Sequence, residues 1–299
     1  MADDRVETIE RFVRAGDGLR LFVRDHRPRD AAPRAPLVCL PGLTRDGRDF
    51  EALARHFTRH EQSSRRVVTI DFRGRGRSDH DADAANYNVL RETQDVIEAL
   101  AALGIDHAVL IGTSRGGLVT MQLAATRPEL VAGAVLNDIG PVLEISGLRK
   151  IGAALAATRA PSDWADAAHR LRSVYGADFP HVDEAGWAAM AARTYVERDG
   201  RPAAPYDERL ATPLRDLPED VSLPAMWPQF DALAASGPVL VLRGANSALL
   251  SQATVGAMLG RRHGVRALTV PDVGHPAPLA TPAEFAAIET LLDEVDRPA

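Results

Sequence analysis

Residues 109–123 constrain this chain more than any other stretch. Val109, Leu110 and Ile111 read as a buried strand, and Leu118, Val119, Met121 and Leu123 as the buried side of a helix. Between them stands Gly112-Thr113-Ser114-Arg115-Gly116, a Gly-x-Ser-x-Gly turn. A serine on such a turn is held in a strained backbone conformation with its hydroxyl raised above the sheet. Small residues on both sides let strand and helix approach closely. The helix N-terminus behind the serine offers N–H groups to a developing negative oxygen. Read alone, the segment also fits a glycine-rich turn whose serine is idle.

The rest of the chain repeats the strand-then-helix rhythm. Arg11–Arg14 and Leu19–Val23 flank an Asp17-Gly18 turn and predict a hairpin. Apolar runs at Pro36–Leu40, Arg66–Phe72, Val131–Leu136, Pro238–Leu242 and Leu268–Val270 predict further strands. Helical patterns cover Asp49–Phe57, Val89–Leu103, where Gly104 is the stop, and Phe285–Val295. This alternation predicts a parallel sheet with helices on both faces. After Pro141 it breaks. As far as about Gln229 only helices and proline-punctuated loops are expected, and all three tryptophans fall there. The expected organisation is a core of 1–140 and 233–299 interrupted by a helical insert over 141–232. Trp164, Trp187, Trp227 and Tyr195 are candidates for lining a pocket between insert and core. Each tryptophan equally fits the insert's own small core.

Composition narrows the function. A net charge of −6 argues against nucleic acid as the main partner. Cys39 is the only cysteine, which excludes a disulfide framework and a cysteine metal site. No apolar run reaches membrane-spanning length, and the first residues lack a secretory signal's apolar core, so a cytoplasmic protein is expected. Arg73-Gly74-Arg75-Gly76 resembles part of a dinucleotide fingerprint, but Asp79 stands where the third glycine belongs. No cofactor and no metal are expected.

A serine hydroxyl needs an adjacent base, usually histidine. Of nine histidines, His275 follows the last strand in Asp272-Val273-Gly274-His275-Pro276, where an open sheet places its site. His169 and His181 lie in the insert, within reach of a substrate there. No pair of histidines shows convincing metal spacing.

Together these residues resemble the α/β-hydrolase family over nearly the whole chain. Leu40-Pro41-Gly42 looks like its oxyanion loop, which more often carries His-Gly. Gly112–Gly116 resembles its nucleophile elbow and Gly274-His275 its base loop. The resemblance implies an eight-stranded, mostly parallel sheet with a helical cap after the sixth strand. It implies Ser114 as nucleophile, His275 as base, and the N–H groups of Leu43 and Arg115 as the oxyanion hole. One element departs from the pattern. The family usually places its acid after the seventh strand, where Ala248 stands here, and no carboxylate lies between Asp231 and Asp272. Asp138, ending the strand after the Ser114 helix, is the best replacement, since some members of the fold carry their acid there. Otherwise Asp138 merely caps the entry into the insert, and Ala248 marks an acid lost or removed. The implied activity is hydrolysis of a small or medium carboxylic ester or lactone. C–C bond hydrolysis, acyl transfer to an alcohol, and a binding protein without turnover remain the alternatives. A small-molecule substrate is the expected partner, and a homodimer is left open.

Overall fold

The computed structural model describes residues 5–29, 32–60, 64–215, 217–218 and 221–297, so Met1–Asp4, read above for a signal, lie outside the described residues. The chain opens with β1 (Val6–Arg14) and β2 (Arg20–Pro28), an antiparallel hairpin in the expected place. Four strands alternating with helices follow: β3 (Leu37–Leu40), α1 (Glu51–Arg59), β4 (Val67–Ile70), α2 (Val89–Ala102), β5 (Ala108–Thr113), α3 (Arg115–Thr126) and β6 (Val131–Asn137). The insert carries α4 (Ile145–Ala157), α5 (Trp164–Tyr175), α6 (Glu184–Thr194), β7 (Val196–Arg198), β8 (Arg201–Ala203) and α7 (Thr212–Arg215). The chain then returns through α8 (Trp227–Ser236), β9 (Val239–Gly244), α9 (Gln252–Leu259), β10 (Val265–Val270) and α10 (Pro282–Val295). Among the described residues no helix is long and apolar enough to cross a membrane.

The eight-stranded sheet runs β1-β2-β4-β3-β5-β6-β9-β10, with every pair from β4 to β10 parallel. Every residue of β3, β4, β5, β6 and β9 is buried, which is why these strands read as unbroken apolar runs and not as alternating ones. One face packs Leu40, Leu110 and Leu136 under α2, α3 and α8. The other packs Leu37, Ile111 and Leu242 under α1 and α10 through Phe57 and Leu291. Each fully buried Leu or Phe contributes about 1.5–3 kcal/mol relative to exposure. With the sheet covered on both faces, only the strand ends remain open for chemistry.

Two details of the insert differ from expectation. Its expected lack of strands is corrected by the β7–β8 hairpin, which turns at Asp199-Gly200 with φ of 51° and 75°. Asp-Gly tolerates two left-handed residues, and three-residue strands are too short to register as a period. At the C-terminal side, α8 packs on α3 and β6 and places Phe230 and Leu233 in the main core, so a boundary at 232 falls inside a sheet-layer helix.

Candidate active site

The C-terminal ends of the parallel strands gather the chemistry-bearing residues. Ser114 follows β5 directly and has φ 49° and ψ −112°, a strained conformation for a side-chain-bearing residue. The neighbouring glycines are what permit the turn. A β-carbon on Gly116 would stand 2.0 Å from the Leu40 carbonyl oxygen, and one on Gly112 would stand 2.6 Å from Gly117 Cα. Any side chain there would push α3 away from the sheet and unload the strain.

Ser114 Oγ lies 2.9 Å from His275 Nε2, and His275 Nδ1 lies 2.7 Å from Asp138 Oδ2. An ionised carboxylate only accepts, so Nδ1 carries the proton and Nε2 is left to accept from the serine. Asp138 is fully buried and sits at φ 54° at the end of β6. Its Oδ1 accepts the Gly244 N–H at 2.9 Å and its Oδ2 also accepts the Ser247 hydroxyl at 2.6 Å. The loop after β9 therefore supplies hydrogen-bond donors to a carboxylate that comes from β6. Ala248, in that same loop, places its backbone against Gly147 of α4. Asp272 is well exposed and pairs with His181 at 3.2 Å, away from the His275 ring's partners.

The Leu43 loop lies beside the serine, since a β-carbon on Gly42 would be 3.9 Å from Ser114 Cβ. Arg115 opens α3, and its N–H, at the very start of the helix, has no preceding turn of helix carbonyls to bond. Two arginines, Arg75 fully buried and Arg115 partly buried, tie both segments down. Arg75 Nε donates to the Leu43 carbonyl at 2.7 Å, and Arg75 Nη1 donates to Glu92 at 2.6 Å. Arg115 Nε donates to the other oxygen of Glu92, also at 2.6 Å. Burial alone would raise the Glu92 pKa, but Arg75 and Arg115 outweigh it and hold the carboxyl below its ordinary value. Glu92 thus anchors both segments from which the expected oxyanion donors come. It was missed in the sequence because a glutamate in a helix's first turn normally faces solvent.

A cavity of about 770 Å³ opens beside His275, bordered by Thr113, Asn137 and Pro276–Leu279 on the sheet side. Asn137 Nδ2 donates to Thr113 Oγ1 and to the Ala277 carbonyl, which holds the His275 loop against β6. The insert covers the cavity with Leu155, Tyr175, Phe179, Met190 and Tyr206. Tyr195 also lines it, its hydroxyl donating to the Thr158 carbonyl at 2.6 Å. The tryptophans do not, and this corrects the expectation for all three. Trp187 is buried with Leu171 and Ala191 between α5 and α6, and Trp164 packs on that cluster. Trp227 packs edge-on against Phe230, with the Arg261 guanidinium over its ring. Nor do His169 and His181 border the cavity. The insert is fixed to the core by Gly76 N–H to the Pro205 carbonyl, Tyr87 hydroxyl to Asp207, and Arg48 to the Tyr195 carbonyl.

One grouping of possible metal ligands occurs among the described residues. His56 in the last turn of α1 and His60, which caps that helix, approach Glu289 of α10, with His56 Nε2 2.7 Å from the carboxylate. The sequence alone does not show this grouping, because the third ligand comes from 229 residues further along the chain than His60. None of the three borders the cavity.

The profile of the Alpha/beta hydrolase family matches residues 37–288. The chain belongs to that family. This hydrolase is 36% identical over 268 residues to the 3-hydroxybutyrate-oligomer hydrolase of Cupriavidus necator, covering 87% of this chain and 89% of the relative. It is 31% identical over 251 residues to the sn-1-specific diacylglycerol lipase ABHD11 of Mus musculus, covering 83% and 78%. Among solved structures, an alpha/beta hydrolase from Novosphingobium aromaticivorans DSM 12444 superposes with a TM-score of 0.86 at 40% identity, over 96% of this hydrolase and 99% of that chain.

Proposed function

We propose that this hydrolase cleaves carboxylic esters through a covalent acyl-enzyme on Ser114. The observation that carries the reading is the hydrogen-bonded chain from Ser114 through His275 to Asp138 at the strand ends. Ser114 Oγ bonds to the carbonyl carbon while its proton passes to His275 Nε2. The negative oxygen is received by the Leu43 and Arg115 N–H groups, a pair of fixed dipoles of which one alone is typically worth about 10²–10³ in rate. The C–O bond to the alcohol then breaks, and His275 returns the proton to the departing oxygen. Water repeats the sequence on the acyl-enzyme, releasing the acid and restoring the serine. Asp138 keeps the imidazole in the required tautomer and steadies the imidazolium. Residues 141–226 act as a cap that closes the cavity and selects the substrate. The relatives named above, one acting on hydroxybutyrate oligomers and one on diacylglycerol, favour a carboxylic ester as the substrate class.

An aryl organophosphonate should label Ser114 stoichiometrically and abolish 4-nitrophenyl ester turnover. Ser114→Ala should lose labelling together with at least about 10⁴ of kcat while keeping its fold. Turnover within tenfold of the parent would contradict the assignment.

A further inference from the structure

The cavity beside His275 has a charge unlike that of the chain around it. The chain carries a net −6, yet among the described residues six arginines and two carboxylates border the cavity. Both carboxylates are already matched. Asp49 is bound bidentately by Arg45 at 2.8 and 2.5 Å, and Glu208 is bound by Arg159 at 2.5 Å. The other four arginines are Arg193, Arg198, Arg201 and Arg215, all exposed. Among the described residues none of these four meets a carboxylate. The only side-chain bond seen for them joins Arg215 to the Thr212 hydroxyl at 3.1 Å. Several arginines elsewhere are closely paired, as Arg66 is with Asp25 and Arg73 with Asp95. The cavity is therefore bordered by four exposed arginines that meet no carboxylate among the described residues, while its walls are apolar, formed by Leu155, Tyr175, Phe179 and Met190.

We propose that the ester cleaved here ends in a carboxylate, which the exposed arginines bordering the cavity receive while the ester carbonyl lies at Ser114. The inference rests on the ester-hydrolase reading and specifies its substrate class. A single exposed ion pair is worth little in water. Several like charges around a cleft with apolar walls focus the field and concentrate an opposite charge there. The guanidinium fork also fits a carboxylate with two parallel hydrogen bonds. Arg198 and Arg201 sit on opposite arms of the β7–β8 hairpin as directly paired residues, so their side chains leave the same short ribbon. An oligoester of a hydroxy acid has such a terminus, as does a dicarboxylic acid monoester. A triglyceride or a simple alkyl ester does not.

The test compares two esters of equal acyl length, 4-nitrophenyl hexanoate and mono-4-nitrophenyl adipate, which differ in a terminal methyl against a terminal carboxylate. At low ionic strength kcat/KM for the adipate ester should exceed that for the hexanoate by tenfold or more, chiefly through KM. The advantage should shrink as salt is added, because the screening length falls from ~30 Å at 0.01 M to ~3 Å at 1 M. In the Arg198→Gln/Arg201→Gln double variant the ratio should fall toward one. A wild-type ratio at or below one would overturn the proposal, and so would a ratio that the double variant leaves intact. Equilibrium binding of monomethyl adipate and methyl hexanoate to the Ser114→Ala protein separates the two readings. Binding that favours the anion without turnover of either aryl ester would contradict the hydrolase reading alone. Turnover without discrimination, in catalysis or in binding, would contradict the anionic substrate alone.

Discussion

Two groups of arginines occupy this molecule, and they are treated in opposite ways. Around the loop after β4, Arg73 and Arg75 are fully buried, and their guanidiniums are held by Asp17, Asp81, Asp95 and Glu92. On the insert, Arg193, Arg198 and Arg201 are exposed and meet no carboxylate among the described residues. A buried charge is tolerable only when paired and hydrogen-bonded, so the first group is bound by the fold itself. The second is left to water or to a ligand. The first group fixes the loops beside Ser114, and the second leaves its charge available. On the proposed reading, the rigid strand ends carry the chemistry and the exposed charge of the insert carries recognition.

The largest effect that bears on this contrast is expected at Glu92. Glu92→Gln leaves the buried Arg75 guanidinium and the partly buried Arg115 guanidinium without their shared counter-charge. It should cost about 3–5 kcal/mol of stability by chemical denaturation. In the protein that remains folded, kcat should drop by on the order of 10², because the Leu43 and Arg115 segments lose their common anchor. Arg198→Gln removes an exposed side chain that meets no carboxylate among the described residues and should change stability by no more than about 1 kcal/mol. Equal costs at the two positions would dissolve the distinction between the arginine groups.

A change within the insert sharpens the same contrast from the other side. Trp187→Ala removes the largest side chain of the α5–α6 core, which should cost about 3–5 kcal/mol locally. The adipate-to-hexanoate ratio of the folded protein should stay within about threefold, since Trp187 does not border the cavity and each 1.4 kcal/mol of discrimination would be tenfold. A selective loss of the adipate ester without loss of stability would return Trp187 to the binding surface.

The parts of the molecule legible in the sequence are those written locally. Gly112–Gly116 announces its own turn, His275 follows its own strand, and the buried strands are continuous apolar runs. What was hidden depends on which surfaces the fold brings together. Glu92 and Asp95 sit on the buried face of α2 only because Arg73, Arg75 and Arg115 lie opposite. The insert's tryptophans and tyrosines share one composition, and helix packing alone sends Trp187 inward while Tyr175 and Tyr206 border the cavity. The Asp199-Gly200 turn carried a hairpin signal of its own, outweighed by the shortness of its strands. Asp138 stood between the two cases. Its place at a strand end was readable, but its bonds to Gly244 N–H and Ser247 from the loop after β9 were not.

The account's central claim is that the acid partner of His275 comes from β6. The direct measurement is kcat for Asp138→Asn beside Ala248→Asp on one aryl ester. Asn at 138 keeps the shape but can no longer fix the imidazole tautomer. kcat should then fall by about 10⁴, while the parent chain with Asp added at 248 should gain less than about threefold, since His275 already has its carboxylate at 2.7 Å. If Asp138→Asn retains activity within tenfold and Ala248→Asp raises kcat a thousandfold, the acid belongs after β9 and the claim is wrong.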